Sequence, residues 1–222
     1  MNRSASPFGG VVFDLDGTLL DSMPLVLKGL ARVVAPYRPR PDAREVMANL
    51  GGPSEACVRR LLGGETHVAE ALAAYLKFLA EHEDTTRLFP GARELVEDLR
   101  AAGVLLGLWT GRERSATEVR LRAVALEGVF EAMVCGDDLT SHKPDPEGLQ
   151  RILEQWRLAP EAVLFVGDSD QDLEGARAAG VAMVAIHHDR TFPPDLLDHS
   201  VALVATPAEA YASVRAAVLG RT

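Results

Sequence analysis

Hydrophobic and polar positions along the chain fall first into a short apolar run and then into segments with helical spacing. Gly10 to Phe13 is apolar with no polar face, which predicts a buried, parallel strand. After Asp21 the period changes. Leu25, Val26, Leu30, Val33 and Val34 recur at helical spacing, and Pro36 and Pro39 end the run. Asp42 is placed to cap a second helix carrying Val46, Met47 and Leu50. Ser54 is placed to cap a third, with Val58, Leu61 and Leu62 on its apolar face and Gly63-Gly64 at its end. A fourth helix is predicted over 67–83, with Leu72, Tyr75, Leu76 and Leu79 inward. Nothing between 21 and 87 reads as a strand.

From Phe89 onward strand and helix alternate. Apolar strands are predicted over 104–109, 130–135, 162–166 and 181–186, with 201–204 as a sixth. Helices are predicted over 91–102, 115–126, 147–157, 173–179 and 207–219, and 187–200 reads as a surface loop. The alternation predicts an α/β fold, a Rossmann-like parallel sheet with helices on both faces. The helical segment is inserted after the first strand, so the expected division is a core of 1–20 and 88–222 and an insertion of 21–87.

Composition narrows the chemistry. The 222 residues are 47% hydrophobic, 25% charged and 5% aromatic, which fits an aliphatic-cored globular protein. A formal net charge of −9 argues against a nucleic-acid or anionic-membrane surface. Cys57 and Cys135 match no metal or disulfide spacing and read as reduced thiols. The first ten residues hold no apolar run of signal-peptide length, and no stretch is long enough to span a bilayer. A cytoplasmic protein is expected.

Polar clusters follow four of the predicted strands: Asp14 with Asp16, Thr110, Lys143, and Asp168 with Asp172. Ligands of open α/β sheets collect beyond the carboxyl ends of strands. Two carboxylates as close as Asp14 and Asp16 repel unless a cation joins them or one is protonated. A hard divalent cation such as Mg²⁺ is the simplest remedy.

The stretch Asp14-Leu15-Asp16-Gly17-Thr18, closing an apolar strand, resembles the first motif of the haloacid dehalogenase-like (HAD) hydrolase superfamily. Thr110, Lys143-Pro144 and Gly167-Asp168 with Asp172 resemble its other three motifs, in order, so the likeness covers nearly the whole chain. The helical insertion, the Gly51-Gly52-Pro53 turn and the tail Val204-Ala205-Thr206-Pro207-Ala208-Glu209 are similar to the phosphoglycolate phosphatase-like branch, in which such an insertion forms a small cap.

The resemblance implies a Mg²⁺-dependent phosphatase acting on a small phosphorylated metabolite, as a monomer or homodimer. Asp14 would be the nucleophile, since a carboxylate can attack phosphorus and split a hard hydrolysis into two easier steps. Asp16 would be the general acid and base and would offer its backbone carbonyl to the metal. Asp14, Asp16 and Asp168 form the implied metal set, and Asp172 would stand near the metal or pair with Lys143. Lys143 would supply positive charge to the nucleophile and the transferring phosphoryl group.

Thr110 would donate to a phosphate oxygen, and Gly111 would let the backbone approach it closely. Gly111-Arg112 departs from the Asn or Ser common in relatives. Arg112 suits a bidentate contact with phosphate or with a substrate carboxylate; it also reads as a surface arginine near a helix start. The 51–54 turn reads either as a substrate-facing loop or as a plain helix break. Arg59 and Arg60 read as exposed helix charges, Asp170 as a first-turn helix carboxylate, and His142 as a loop residue.

The leading alternative is a sugar-phosphate mutase, which shares the core motifs. A haloacid dehalogenase would not need the metal site. A phosphonatase-like reaction would need an imine-forming cap lysine, for which Lys28 and Lys77 do not stand out. A catalytically silent binding module is opposed by the filling of every motif position.

Overall fold

The computed structural model describes residues 8–51, 53–82 and 85–220. Gly52 of the 51–54 turn, Glu83 at the expected end of the fourth helix, and the ends 1–7 and 221–222 of the expected core lie outside the described residues.

The strands are β1 (Gly10–Phe13), β4 (Leu105–Trp109), β5 (Ala132–Val134), β6 (Val163–Gly167), β7 (Ala182–Ile186) and β8 (Ser200–Val204), counting in chain order with β2 (Leu20–Asp21) and β3 (Arg87–Leu88) set aside as a separate pair. The six form one parallel sheet in the order β5-β4-β1-β6-β7-β8. The central strand β1 pairs with β4 on one side and β6 on the other, with Val12 opposite Gly107 and Phe165.

Alternation along β1 divides the core into two layers. Val11 and Phe13 face a cluster with Leu95, Leu99 and Tyr211. These come from α5 (Ala92–Ala101) and α9 (Pro207–Val214). Val12 faces a cluster with Leu149, Ile152 and Leu173. These come from α7 (Glu147–Trp156) and α8 (Asp170–Ala179). A strand apolar on both faces, as β1 is, fits only such a two-sided sheet.

Between β2 and β3 run α1 (Met23–Val34), α2 (Ala43–Ala48), α3 (Ser54–Leu62) and α4 (Val68–Glu81). They share a third cluster that includes Leu30, Val34, Val46, Leu61, Tyr75 and Phe78 and takes no residue from the sheet. Asp42 caps α2 as expected, accepting from the Glu45 amide at 2.8 Å.

Several expectations differ from the structure. The 21–87 segment is not wholly helical at its ends: Leu20 pairs with Leu88 and Asp21 with Arg87 in an antiparallel ribbon. Leu76 points outward, 41% exposed, because α4 buries the stripe Val68, Ala71, Tyr75, Phe78 and Leu79. Leu76 follows Tyr75 by one residue, about 100° around the helix. Ser54 is the first residue of α3 and does not cap it; extended Pro53 holds the cap position. Helix α8 begins at Asp170, earlier than the apolar pattern suggested, because Ser169 and Asp172 form a reciprocal capping box. The 187–200 segment is anchored by buried Phe192 and Leu196, with a 3₁₀ turn at Pro194–His199. Among the described residues no helix is long and apolar enough to cross a membrane, and Cys57 and Cys135 are buried free thiols.

Candidate active site

Asp14 follows β1 directly, and its amide donates to Val166 O, so the central strand's hydrogen bonding carries the carboxylate into place. Lys143 reaches it from the loop before α7. Its Nζ lies 2.7 Å from Asp14 Oδ1 and 2.6 Å from Asp172 Oδ1. The ammonium also sits 4.7 Å from the Trp109 ring centre and 5.4 Å from that of Phe165. The Trp109 ring is held by glycines of both neighbouring helices. A Cβ on Gly148 would collide with its indole nitrogen, and one on Gly175 would lie 2.6 Å from the ring. Two helical glycines thus let the aromatic platform beneath the lysine fit.

Burial penalises the Lys143 charge, but Asp14 and Asp172 more than offset it and hold the ammonium protonated. Burial also raises the Asp14 pKa to about 7, against the pull of Lys143. Asp168 is raised well above the usual carboxylate range by burial and by the charges of Asp14 and Asp172.

The Asp14 and Asp16 carboxylates diverge. Strand β1 stops at Phe13, and Gly17 turns the chain with φ 81°. A side chain at Gly17 would run into the Asp168 carboxylate, so both conformation and space require glycine there. Asp16 lies instead against Arg112, with Nε to Oδ2 at 3.0 Å and Nη2 to Oδ1 at 2.6 Å, and it accepts from the Ser22 hydroxyl. Although burial opposes it, Arg112 and Ser22 hold the Asp16 carboxyl below its ordinary value. Arg112 is no surface residue, since its side chain is 8% exposed. The charge conflict is therefore met by two separate cations, Lys143 for Asp14 and Arg112 for Asp16.

Ligand atoms of Asp14, Asp168 and Asp172 lie within 4.8 Å of one another. Asp172 is already committed: Oδ1 to Lys143, and Oδ2 to the Asp168 and Ser169 amides and the Ser169 hydroxyl. Asp14 Oδ2 and Asp168 Oδ1 accept no hydrogen bond among the described residues. Two unpartnered carboxylate oxygens facing the cavity, on groups whose pKa values burial raises, suit a hard divalent cation. Asp172 serves this pair by fixing Lys143 and the Asp168 backbone, and the Asp16 carboxylate stands outside the cluster.

These residues face a cavity of about 180 Å³, which also receives Thr110, Gly111 and Arg112. Thr110 is buried, and its Oγ1 accepts from the Arg112 amide at 3.3 Å. The helical insertion roofs the cavity. Gly51 lies so near Gln171 of α8 that an added Cβ would sit 2.5 Å from its Nε2, and Ser54 Oγ donates to Glu113 at 3.3 Å. Arg60 supports this turn through Asn49 O and Gly51 O. Arg59 pairs outside with Glu55 and Glu65, and Lys77 with Glu81. His142 and Asp170 do not line the cavity.

Sequence reasoning missed a second support of Asp168. Arg190 donates to its carbonyl and, at 3.2 Å, to its Oδ2, while His188 Nε2 lies 2.7 Å from Gly17 O. A polar stretch ahead of paired prolines carries no periodic signal that would have found them. Tyr75, assigned to the core from its helical spacing, also lines the cavity.

Comparison with known proteins bears on this site directly. The family profile described as haloacid dehalogenase-like hydrolase matches residues 11–186. The chain belongs to this family. Among the relatives of these haloacid dehalogenase-like hydrolases is a phosphoglycolate phosphatase of Thiobacillus denitrificans, 33% identical over 86% of this chain and 89% of its own length. Another is pyrophosphatase PpaX of Bacillus cereus, 32% identical over 79% of this chain and 82% of its own. A solved structure described as a putative beta-phosphoglucomutase from Thermotoga maritima superposes with a TM-score of 0.75 at 27% identity, covering 94% of this chain and 99% of that one. The sheet with its inserted helices is thus shared by family members that carry different names.

Proposed function

We propose that this chain is a Mg²⁺-dependent phosphatase that hydrolyses a small phosphate monoester through an aspartyl-phosphate on Asp14. The observation that carries the reading is the pair of unpartnered oxygens, Asp14 Oδ2 and Asp168 Oδ1, beside Lys143 at the floor of a roofed cavity. The relatives' names, phosphoglycolate phosphatase and pyrophosphatase, point to the same reaction class.

Asp14 and Asp168 would hold the cation, which when bound supplies positive charge against the phosphoryl oxygens. The Asp14 carboxylate attacks phosphorus, and the bond to the leaving oxygen breaks. Asp16 donates the proton that oxygen needs, then takes one from the water that cleaves the acyl phosphate and regenerates Asp14. In the structure Asp16 is ionised on Arg112, so its acid role requires that it take up a proton as substrate enters. Lys143 stabilises charge on the transferring group, and Thr110 Oγ1 and the Gly111 amide donate to its oxygens. Helices α1–α4 act as a cap that excludes water from the charges beneath.

A sugar-phosphate mutase is the second reading: the likeness to the structure described as a putative beta-phosphoglucomutase favours it, and Ser54 and Gln171 on the cavity wall could meet sugar hydroxyls, whereas Met23, Val26, Leu30 and Leu50 could not. The test is phosphate release from 2-phosphoglycolate, pyrophosphate and β-glucose 1-phosphate, with Mg²⁺ and with chelator. Metal-dependent release is expected. Conversion of β-glucose 1-phosphate to the 6-phosphate without net phosphate release would favour the mutase.

A further inference from the structure

Tyr75 of the insertion and Arg112 of the loop after β4 both line the cavity, and each carries a donor without a partner among the described residues. Tyr75 is 3% exposed, and its ring is set by Gly29 of α1, where a Cβ would lie 2.9 Å from Cε2. Its hydroxyl lacks a hydrogen-bond partner among the described residues. Burial raises the phenol above its ordinary value, so it stays protonated and can donate. The second group is Arg112. Its Nε and Nη2 are taken by Asp16, whereas Nη1 has no partner among the described residues. Both free groups are donors on the cavity wall, open to an acceptor on a bound molecule. Tyr75 and Arg112 line one and the same cavity.

We infer that Tyr75 is a specificity-determining residue, whose hydroxyl and Arg112 Nη1 together receive one anionic acceptor on the leaving alcohol. The inference rests on the phosphatase reading and extends it. The phosphoryl group occupies the floor by Asp14 and Lys143. A short apolar link crosses the zone of Met23, Val26 and Leu30, and a carboxylate meets the two donors. A leaving group with no acceptor leaves both unpaired. A polyol places extra hydroxyls against aliphatic walls.

The experiment compares kcat/KM for 2-phosphoglycolate and ethyl phosphate in the wild type and in Tyr75→Phe, with Mg²⁺ in excess. The phenylalanine removes a hydroxyl that bonds to nothing in the substrate-free protein, so the melting temperature should not fall. The ratio of the two kcat/KM values should drop by about 10- to 100-fold, the equivalent of one hydrogen bond to a charged group. An unchanged ratio would overturn the assignment of Tyr75 and leave the phosphatase reading standing. A wild type that hydrolyses neither ester would overturn the phosphatase reading, and the assignment with it.

Discussion

Replacing Lys143 with methionine keeps the length and apolar stem of the side chain and deletes its charge. The stem can still pack beside Trp109 and Phe165, so the change isolates electrostatics. In the wild type the ammonium is 7% exposed and bridges Asp14 and Asp172 at 2.7 and 2.6 Å. Without it, Asp14, Asp168 and Asp172 crowd together with Arg190 as the remaining close cation. Breaking a buried ion pair by removing one partner costs about 3–5 kcal/mol. For a chain of this size about 2–4 °C of Tm accompany each kcal/mol, so Lys143→Met should lower Tm by about 6–20 °C at pH 7.5 in chelator.

Proton uptake limits the damage. Asp14 already has a folded-state pKa raised to about 7 by burial. A carboxyl raised on folding binds protons more tightly in the folded than in the unfolded chain, so its penalty is full above the folded value and fades as pH falls towards the ordinary value near 4. The Tm deficit should therefore be smaller at pH 5.5 than at pH 7.5. Thermal scans of both proteins in chelator at the two pH values provide the assay. Equal melting temperatures at pH 7.5, or a deficit that widens at pH 5.5, would refute the charge balance argued here.

Asp14→Asn should lose at least about 10³-fold in kcat, since an amide cannot form the acyl phosphate. The same variant should melt above the wild type in chelator, because one crowded carboxylate is gone; calorimetry and phosphate release on one preparation check both signs. Chelator should abolish phosphate release and Mg²⁺ restore it, whereas Ca²⁺, with more ligands at longer distances, should not; a metal-titrated phosphate assay decides. Arg112→Gln should cost about 3–5 kcal/mol at pH 7.5 by stranding Asp16. Asp16 is depressed on folding, so its contribution is present above the ordinary Asp value and lost as pH falls through the folded one. The urea midpoints of Arg112→Gln and wild type should accordingly converge below about pH 4.

The parts of this molecule that were legible in the sequence are those with a local signature. An apolar run ending in carboxylates marked β1 and Asp14, and the regular strand–helix alternation marked the parallel sheet. Lys143, Asp168 and Asp172 were found because each follows a strand, and the structure brings them to one cavity. What the sequence did not disclose depends on contacts distant along the chain. The spacing of Asp14 and Asp16 suggested a shared cation, but each carboxylate has its own, because the chain leaves the strand at Phe13. Arg112 could be weighed as a ligand or a surface charge, but not as the partner of a residue 96 positions earlier. Arg190 lies in a stretch without periodicity, and its hold on Asp168 depends on a turn that composition does not encode. Leu76 and Tyr75 are adjacent and both hydrophobic in character, and only tertiary packing decides which of them turns inward.

The small ribbon of Leu20–Asp21 against Arg87–Leu88 has a consequence for how such a chain can diverge. The excursion departs and returns through neighbouring residues, so the sheet experiences it as a closed hairpin, whatever its contents. Lengthening a flexible loop costs only about 0.6 kcal/mol per doubling. An excursion with its own apolar interior, as here, asks little of the sheet beyond those two residue pairs at its neck. Segments of another size or shape could be exchanged at this doorway while the phosphate chemistry below stayed intact. Inheritance can then treat the choice of alcohol and the cleavage of its phosphate as separately editable traits.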